Sequence, residues 1–144
     1  MIQIKFQEKL NRNISFEKIK ELFNIDVEFH CLQKTLLNDE KNKKWGRYKN
    51  LYFWDDELDD FCDTAAIIDQ MDLVITVDTA VAHLAGALGK PTWILISYIS
   101  DFRWELDRSD SSWYDSVKIF RQKEDYLWER VISEVKEELE KFIK

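Results

Sequence analysis

The chain has 144 residues, enough for one domain with a real core, and 45% of them are hydrophobic, which excludes a disordered polymer. Its 28 acidic residues outnumber the 21 basic ones, leaving a formal charge of −7 that repels nucleic acid and anionic lipid, so any phosphate site must be local. Met1 leads into a charged segment rather than an apolar signal core, and no apolar run reaches the ~18–20 residues that span a bilayer. A cytoplasmic chain with no transmembrane segment and no nucleic-acid partner is the expectation.

In chain order, Ser15 is placed to cap a short helix whose Phe16, Ile19, Leu22 and Phe23 share one side, and Val27 to Leu32 reads as a strand. Residues 36–50 are polar, and their basic cluster, Lys41 to Arg47, reads as a solvated loop. A short aromatic strand, Leu51 to Trp54, leads into the acidic turn Asp55 to Asp60. That turn lacks the alternating spacing and glycine of a calcium loop and reads as solvated, with no metal assigned. Asp63 or Thr64 is expected to cap a brief helix, Ala65 to Met71. Cys31 and Cys62 lie in apolar segments without metal-ligand spacing and read as buried free thiols.

Leu73 to Val77 is apolar on both faces and rich in β-branched residues, the pattern of a central parallel strand. Thr79 to Leu88 follows as a helix with Val81, Leu84, Ala85 and Leu88 on one stripe, stopped by Gly89 and Pro91. Thr92 to Ser97 is a second buried strand, completing a βαβ unit. An aromatic, charged loop, Tyr98 to Asp115, precedes a strand at Val117 to Arg121. An amphipathic helix, Tyr126 to Lys144, ends the chain, with Leu127, Val131, Val135, Leu139 and Phe142 on its apolar side. The alternation predicts an α/β fold, a Rossmann-like parallel sheet flanked by helices.

In such a sheet ligands bind beyond the carboxyl ends of the strands, which puts Asp78, Thr79 and Ser97 to Asp101 at the functional edge. Thr79 is a good cap residue, and the N–H groups of Ala80, Val81 and Ala82 open the helix at the positive end of its dipole, where a phosphate is favoured. Ala80 and Ala82 are small enough for close approach. His83 stands one turn beyond Thr79 on the same side. Asp78 would repel a phosphate and suits hydroxyl groups, as on a sugar. On the residues alone the bland alternative comes first: Thr79 caps a core helix, Asp78 ends a strand, and His83 is a satisfied histidine. A Gly-rich dinucleotide fingerprint and a P-loop are both absent, and the chain has only 3 glycines.

The run from Asp72 to Pro91, Asp-Leu-Val-Ile-Thr-Val-Asp-Thr-Ala-Val-Ala-His-Leu-Ala-Gly-Ala-Leu-Gly-Lys-Pro, resembles the donor-site signature of heptosyltransferase-like glycosyltransferases of family 9. Asp101-Phe-Arg-Trp104, Asp110-Ser-Ser-Trp-Tyr114 and Phe120-Arg-Gln122 resemble its continuation in bacterial proteins that join tetratricopeptide repeats to such a domain. Upstream, Asp63-Thr64-Ala-Ala and Cys31-Leu-Gln-Lys34 have similar spacing.

The resemblance implies that the whole chain is the C-terminal, donor-binding half of a GT-B fold, its opening strand and phosphate-contacting loop absent or shortened. The N-terminal acceptor half, which carries the catalytic base in the family, is expected to be missing, so the catalytic residue is unknown. The resemblance further implies an inverting, metal-independent transferase without cofactor that binds a nucleotide-diphospho-sugar. Asp78 would meet sugar hydroxyls, Thr79 and Ala80 the diphosphate through backbone N–H groups, and His83 the phosphate, with Val81, Gln33 and Lys34 as further donor contacts.

Arg103, Arg108 and Arg121 read as partners of Asp101, Asp107 or Asp110 rather than of phosphate. Trp104, Trp113 and Tyr114 read as packing the loop onto the body rather than stacking on a ligand. Two other classes stay open: an interaction or oligomerisation module derived from such a domain, partnered by a separate N-terminal half or by itself, and a fragment of a GT-B-like sugar-nucleotide epimerase.

Overall fold

The computed structural model describes residues 1–5, 14–33 and 46–144. Six strands form one fully parallel sheet: β1 (Ile2–Lys5), β2 (Phe29–Cys31), β3 (Leu51–Phe53), β4 (Leu73–Val77), β5 (Thr92–Ile96) and β6 (Val117–Arg121). Their spatial order is β3-β2-β1-β4-β5-β6. The chain winds outward from β1 to β3, then returns to place β4 on the other side of β1. The point where the winding reverses lies between β1 and β4, and in doubly wound sheets the ligand crevice opens there.

Where the expectation is an opening strand absent or shortened, β1 supplies one of 4 residues. It pairs Ile2 with Phe29 on one side and with Leu73 on the other, and Ile2 is buried. Four residues with alternating polar positions carry little strand signal by themselves. The two neighbours that pair with them come from further along the chain. The segment after β1, where a phosphate-contacting loop would follow, lies outside the described residues.

Every residue of β4 and β5 is buried, as expected of strands covered on both faces. Their side chains alternate between two layers. Leu73, Ile75, Val77, Trp93 and Leu95 pack under the short helix α1 (Phe16–Ile19), the 3-10 turn Lys20–Asn24, and α4 (Trp128–Phe142). On the opposite face Val74 meets Ile68 of α2 (Phe61–Asp69) and Val81 of α3 (Ala80–Ala87), while Ile94 and Ile96 meet Ala82 and Trp104. Within α4 the buried stripe is Trp128, Val131, Ile132, Val135 and Leu139, whereas Leu127 and Phe142 are exposed.

Several boundaries move. The strand expected over Val27 to Leu32 shortens to β2, and Asn50 fastens the turn before it, its side-chain amide donating to the carbonyls of Phe23, Ile25 and Val27 at 3.2, 3.2 and 2.9 Å. The helix expected from Ala65 begins earlier, at Phe61, and is capped by Asp60 rather than by Asp63 or Thr64. Asp60 accepts from the N–H groups of Cys62 and Asp63 at 2.7 and 3.1 Å, and Asp63 accepts in return from the Asp60 N–H at 3.2 Å. A reciprocal box of this kind contributes about 1 kcal/mol to the helix. Starting the helix earlier places Cys62 in its first turn, where it is exposed, so only Cys31 is a buried thiol. Among the described residues no helix is long and apolar enough to cross a membrane.

Candidate functional site

The carboxyl end of β4 delivers Asp78 and Thr79 to the edge beside the reversal point, and α3 starts there. Thr79 has extended backbone angles and occupies the cap position, but its side chain caps nothing. The hydroxyl of buried Thr76 donates to the Val77 carbonyl at 3.0 Å, so the 3.3 Å contact between the two threonine hydroxyls leaves Thr79 as donor to Thr76. The expected side-chain cap is thus diverted into the strand. The N–H of Ala82 is taken by the Thr79 carbonyl at 3.0 Å, which removes it from the expected set of outward donors. Helix geometry leaves the N–H groups of Ala80 and Val81 without intrahelical acceptors. Ala80 is exposed and Val81 is buried, so Ala80 is the donor that an incoming anion meets first.

Two hollows flank this helix start. On the β5 side Asp78 lines a crevice of about 10 Å³ with Ser97 and Ser100, room for a single small group. On the β2 side Val81 lines a hollow of about 270 Å³ with Leu32, Leu58, Asp59, Phe61 and Thr64. Small-molecule pockets begin at roughly 300 Å³, so this hollow suits one ring system rather than a whole nucleotide sugar. Gln33, half-buried, directly follows Leu32 at this end of β2. Lys34 lies outside the described residues.

Leu58 and Phe61 were not legible as site residues, because both sit in or beside a run of six positions that is otherwise acidic. The signal was Leu58 itself, an apolar residue in that turn which proves to be buried.

His83 is half-buried and held on two sides. Its ring stacks on that of Trp104 with centroids 5.2 Å apart, and its Nδ1 lies 3.2 Å from the Tyr114 hydroxyl. Both partners belong to the loop after β5, which Arg121 draws inward. One guanidinium nitrogen donates to Ser100 Oγ at 2.6 Å, and another donates to the carbonyls of Trp104, at 2.9 Å, and Glu105. Burial lowers the Arg121 pKa, with the Asp107 charge acting in the opposite direction. Arg121 is therefore a loop anchor, and its hydrogen bonds go to that loop's carbonyls and a serine rather than to the carboxylate expected. Arg103 and Arg108 do pair as expected, with Asp101 at 3.3 Å and with Asp110 at 2.8 Å. Trp104 and Tyr114 pack the loop onto the body, whereas Trp113 is exposed.

A model of glycosyltransferase family 9 (heptosyltransferase) matches residues 60–137, just over half of the 144 residues. The chain belongs to glycosyltransferase family 9. No curated protein gives a significant match to the sequence. The family match runs from the Asp60 cap through β4, α3, β5 and β6 into α4, so it contains Asp78 to His83 and both aromatic partners of His83. At the level of the family, this is glycosyltransferase chemistry with a sugar nucleotide as donor. Gln33 lies upstream of the match.

The second histidine of this family 9 domain sits apart from α3. His30 on β2 is buried between Tyr52 and Trp54, its ring stacked on theirs at 5.1 and 5.9 Å. The Trp54 indole N–H donates to His30 Nδ1 at 2.9 Å, so the neutral ring carries its proton on Nε2, 4.0 Å from a Glu28 carboxylate oxygen. Burial pushes the imidazole below the usual histidine range, with Glu28 pulling the other way. The unfolded chain then takes up a proton before the folded one does. Stability due to this site is fully present above about pH 6.5 and is lost as pH falls from there through the lower, folded value. Thermal unfolding across that window is expected to show a steeper acid-side decline for the unaltered protein than for His30→Phe, which keeps the stack but cannot titrate.

Proposed function

We propose that this domain binds a nucleoside-diphosphate sugar as the donor half of an inverting, metal-independent glycosyltransferase. The observation that carries the reading is the start of α3, which opens beside the sheet's reversal point with exposed Ala80 as its first residue and His83 on the same side one turn later. The N–H groups of Ala80 and Val81 and the His83 imidazole face the diphosphate. The hollow lined by Leu32, Leu58, Phe61 and Val81 takes the base, with Gln33 near the ribose. On the other side of α3, Asp78 accepts hydroxyl groups of the sugar.

Chemistry follows from where charge develops. The acceptor oxygen attacks the anomeric carbon as the bond from that carbon to the diphosphate oxygen breaks, and the leaving diphosphate gains negative charge. A fixed N–H donor and the positive end of the helix dipole stabilise that charge without reorganising at the moment of reaction. The proton of the attacking hydroxyl goes to a base supplied by a complementary N-terminal half, which the reading requires for transfer.

Calorimetric titration with UDP, ADP and their sugar conjugates tests this reading. Asp78→Ala is expected to weaken binding of the sugar conjugate without weakening that of the bare diphosphate, and His83→Ala to weaken both. If none of these ligands binds the folded protein, the reading fails.

A second reading, association through this edge, is favoured by the large apolar residues exposed in the loop after β5: Ile99 at 73%, Phe102 at 78% and Leu106 at 70%. It accounts for the chain if the mass in solution is that of a stable oligomer and no nucleotide binds.

A further inference from the structure

His83 and Tyr114 are 31 residues apart, yet the fold sets the phenol hydroxyl 3.2 Å from Nδ1 of the imidazole. The two rings meet edge to face, with centroids 5.9 Å apart and planes at 63°. Trp104, only 1% exposed, stacks on the imidazole at an interplanar angle of 26°. The imidazole is therefore fixed in plane by one neighbour and at one nitrogen by another.

Space for this arrangement is built into α3. At Gly86, one turn after His83, a Cβ atom would stand 2.6 Å from Tyr114 Cγ and 2.8 Å from Cδ2, so the phenol ring lies directly against helix backbone. The loop position is secured separately. Arg121 holds the carbonyls of Trp104 and Glu105, and the Val117 N–H donates to the Tyr114 carbonyl at 3.2 Å.

We propose that Tyr114 is a positioning residue that selects the tautomer of His83. Its hydroxyl donates to Nδ1, which keeps the imidazole proton on Nε2. That nitrogen is then an N–H donor, as a diphosphate requires. The opposite tautomer would present a lone pair to the anion and repel it. This deepens the proposed function and rests on it for the identity of the anion, but the tautomer is a property of the free protein.

The two parts are separable by experiment. Nitrogen-15 spectra of the imidazoles, recorded in mildly alkaline buffer without ligand, report the tautomer directly, and the chain has only 2 histidines. Both are expected with the proton on Nε2, since Trp54 donates to Nδ1 of His30 as Tyr114 does to Nδ1 of His83. In Tyr114→Phe, His83 is expected to become a mixture of tautomers while His30 is unchanged, an internal standard for folding. Affinity for UDP or ADP is expected to fall in proportion to the lost Nε2-protonated population, roughly twofold for an even mixture. A proton on Nδ1 of His83 in the unaltered protein, or a His83 spectrum unaltered by Tyr114→Phe, overturns the assignment. A tautomer shift with no loss of nucleotide affinity overturns the functional half alone. If the unaltered protein binds no nucleotide, the donor reading itself falls, and the ligand-free spectra still decide what Tyr114 does to His83.

Discussion

Replacing Trp104 by alanine is expected to be the most destabilising single change in the loop after β5, costing about 3–5 kcal/mol in chemical denaturation. The indole is 1% exposed and packs against Ala82, Ile94, Ile96, Val117 and Ile119, a cluster that joins α3 to β5 and β6. Truncation leaves a cavity that this cluster cannot collapse to fill, because Ile94, Ile96, Val117 and Ile119 are fixed in strands. Among the described residues the indole N–H has no hydrogen-bond partner, so the loss is one of packing rather than of polar bonding. Trp104→Phe, which retains a ring beneath His83, is expected to lose markedly less. Nucleotide binding by Trp104→Ala should fall beyond what unfolding explains, since His83 loses the surface it stacks on.

Gly86→Ala is the second large effect, and its sign is opposite to helix propensity. Alanine in place of glycine inside a helix ordinarily gains about 1 kcal/mol. Here the new methyl group would stand 2.6 to 3.0 Å from three atoms of the Tyr114 ring, among them Cγ, which is attached directly to the Tyr114 backbone through Cβ. The ring cannot swing its far end away; the loop must shift or the ring must leave. Overpacking of this kind costs about 1–3 kcal/mol, which outweighs the propensity gain. Thermal denaturation should show Gly86→Ala less stable than the unaltered protein, and the double variant Gly86→Ala, Tyr114→Ala should recover part of the loss. A more stable Gly86→Ala would mean that Tyr114 is not held against α3.

The central βαβ unit is legible from sequence because each of its parts depends on neighbours a few residues away. Leu73 to Val77 and Val117 to Arg121 are bounded as expected, β5 differs from expectation by one residue at one end, and α3 by one residue at each end. What escapes is whatever depends on distant partners. The Ile2–Lys5 strand is four residues long and is defined by β2 and β4 on either side of it. Asp60, Asp63 and Thr64 are all good cap residues, and only the reciprocal bonds single out Asp60.

The candidate site divides in the same way. Asp78, Thr79, Ala80 and His83 lie at the functional edge as their position after a buried strand implies. The Thr79 hydroxyl is lost to Thr76, three residues back on the strand, and the Ala82 N–H to the Thr79 carbonyl. Neither diversion has a sequence signature, because threonine is as good a cap as it is a partner for another hydroxyl. The contact between His83 and Tyr114 closes a separation of 31 residues across a loop without periodicity, so only the fold reveals it.

The donor-site reading is tested most directly by Ala80→Pro. Ala80 is the first residue of α3, the one helical position where proline fits, and Thr79 before it is already extended, as a residue preceding proline must be. The substitution removes one backbone N–H and is expected to leave the melting temperature nearly unchanged. Calorimetric titration with UDP, ADP and their sugar conjugates should show the unaltered protein binding at least one of them. Ala80→Pro should bind that ligand about 10- to 100-fold more weakly, the loss of one hydrogen bond to a charged group of about 1.5–3 kcal/mol. Equal affinity in the two proteins would contradict a diphosphate held at the start of α3.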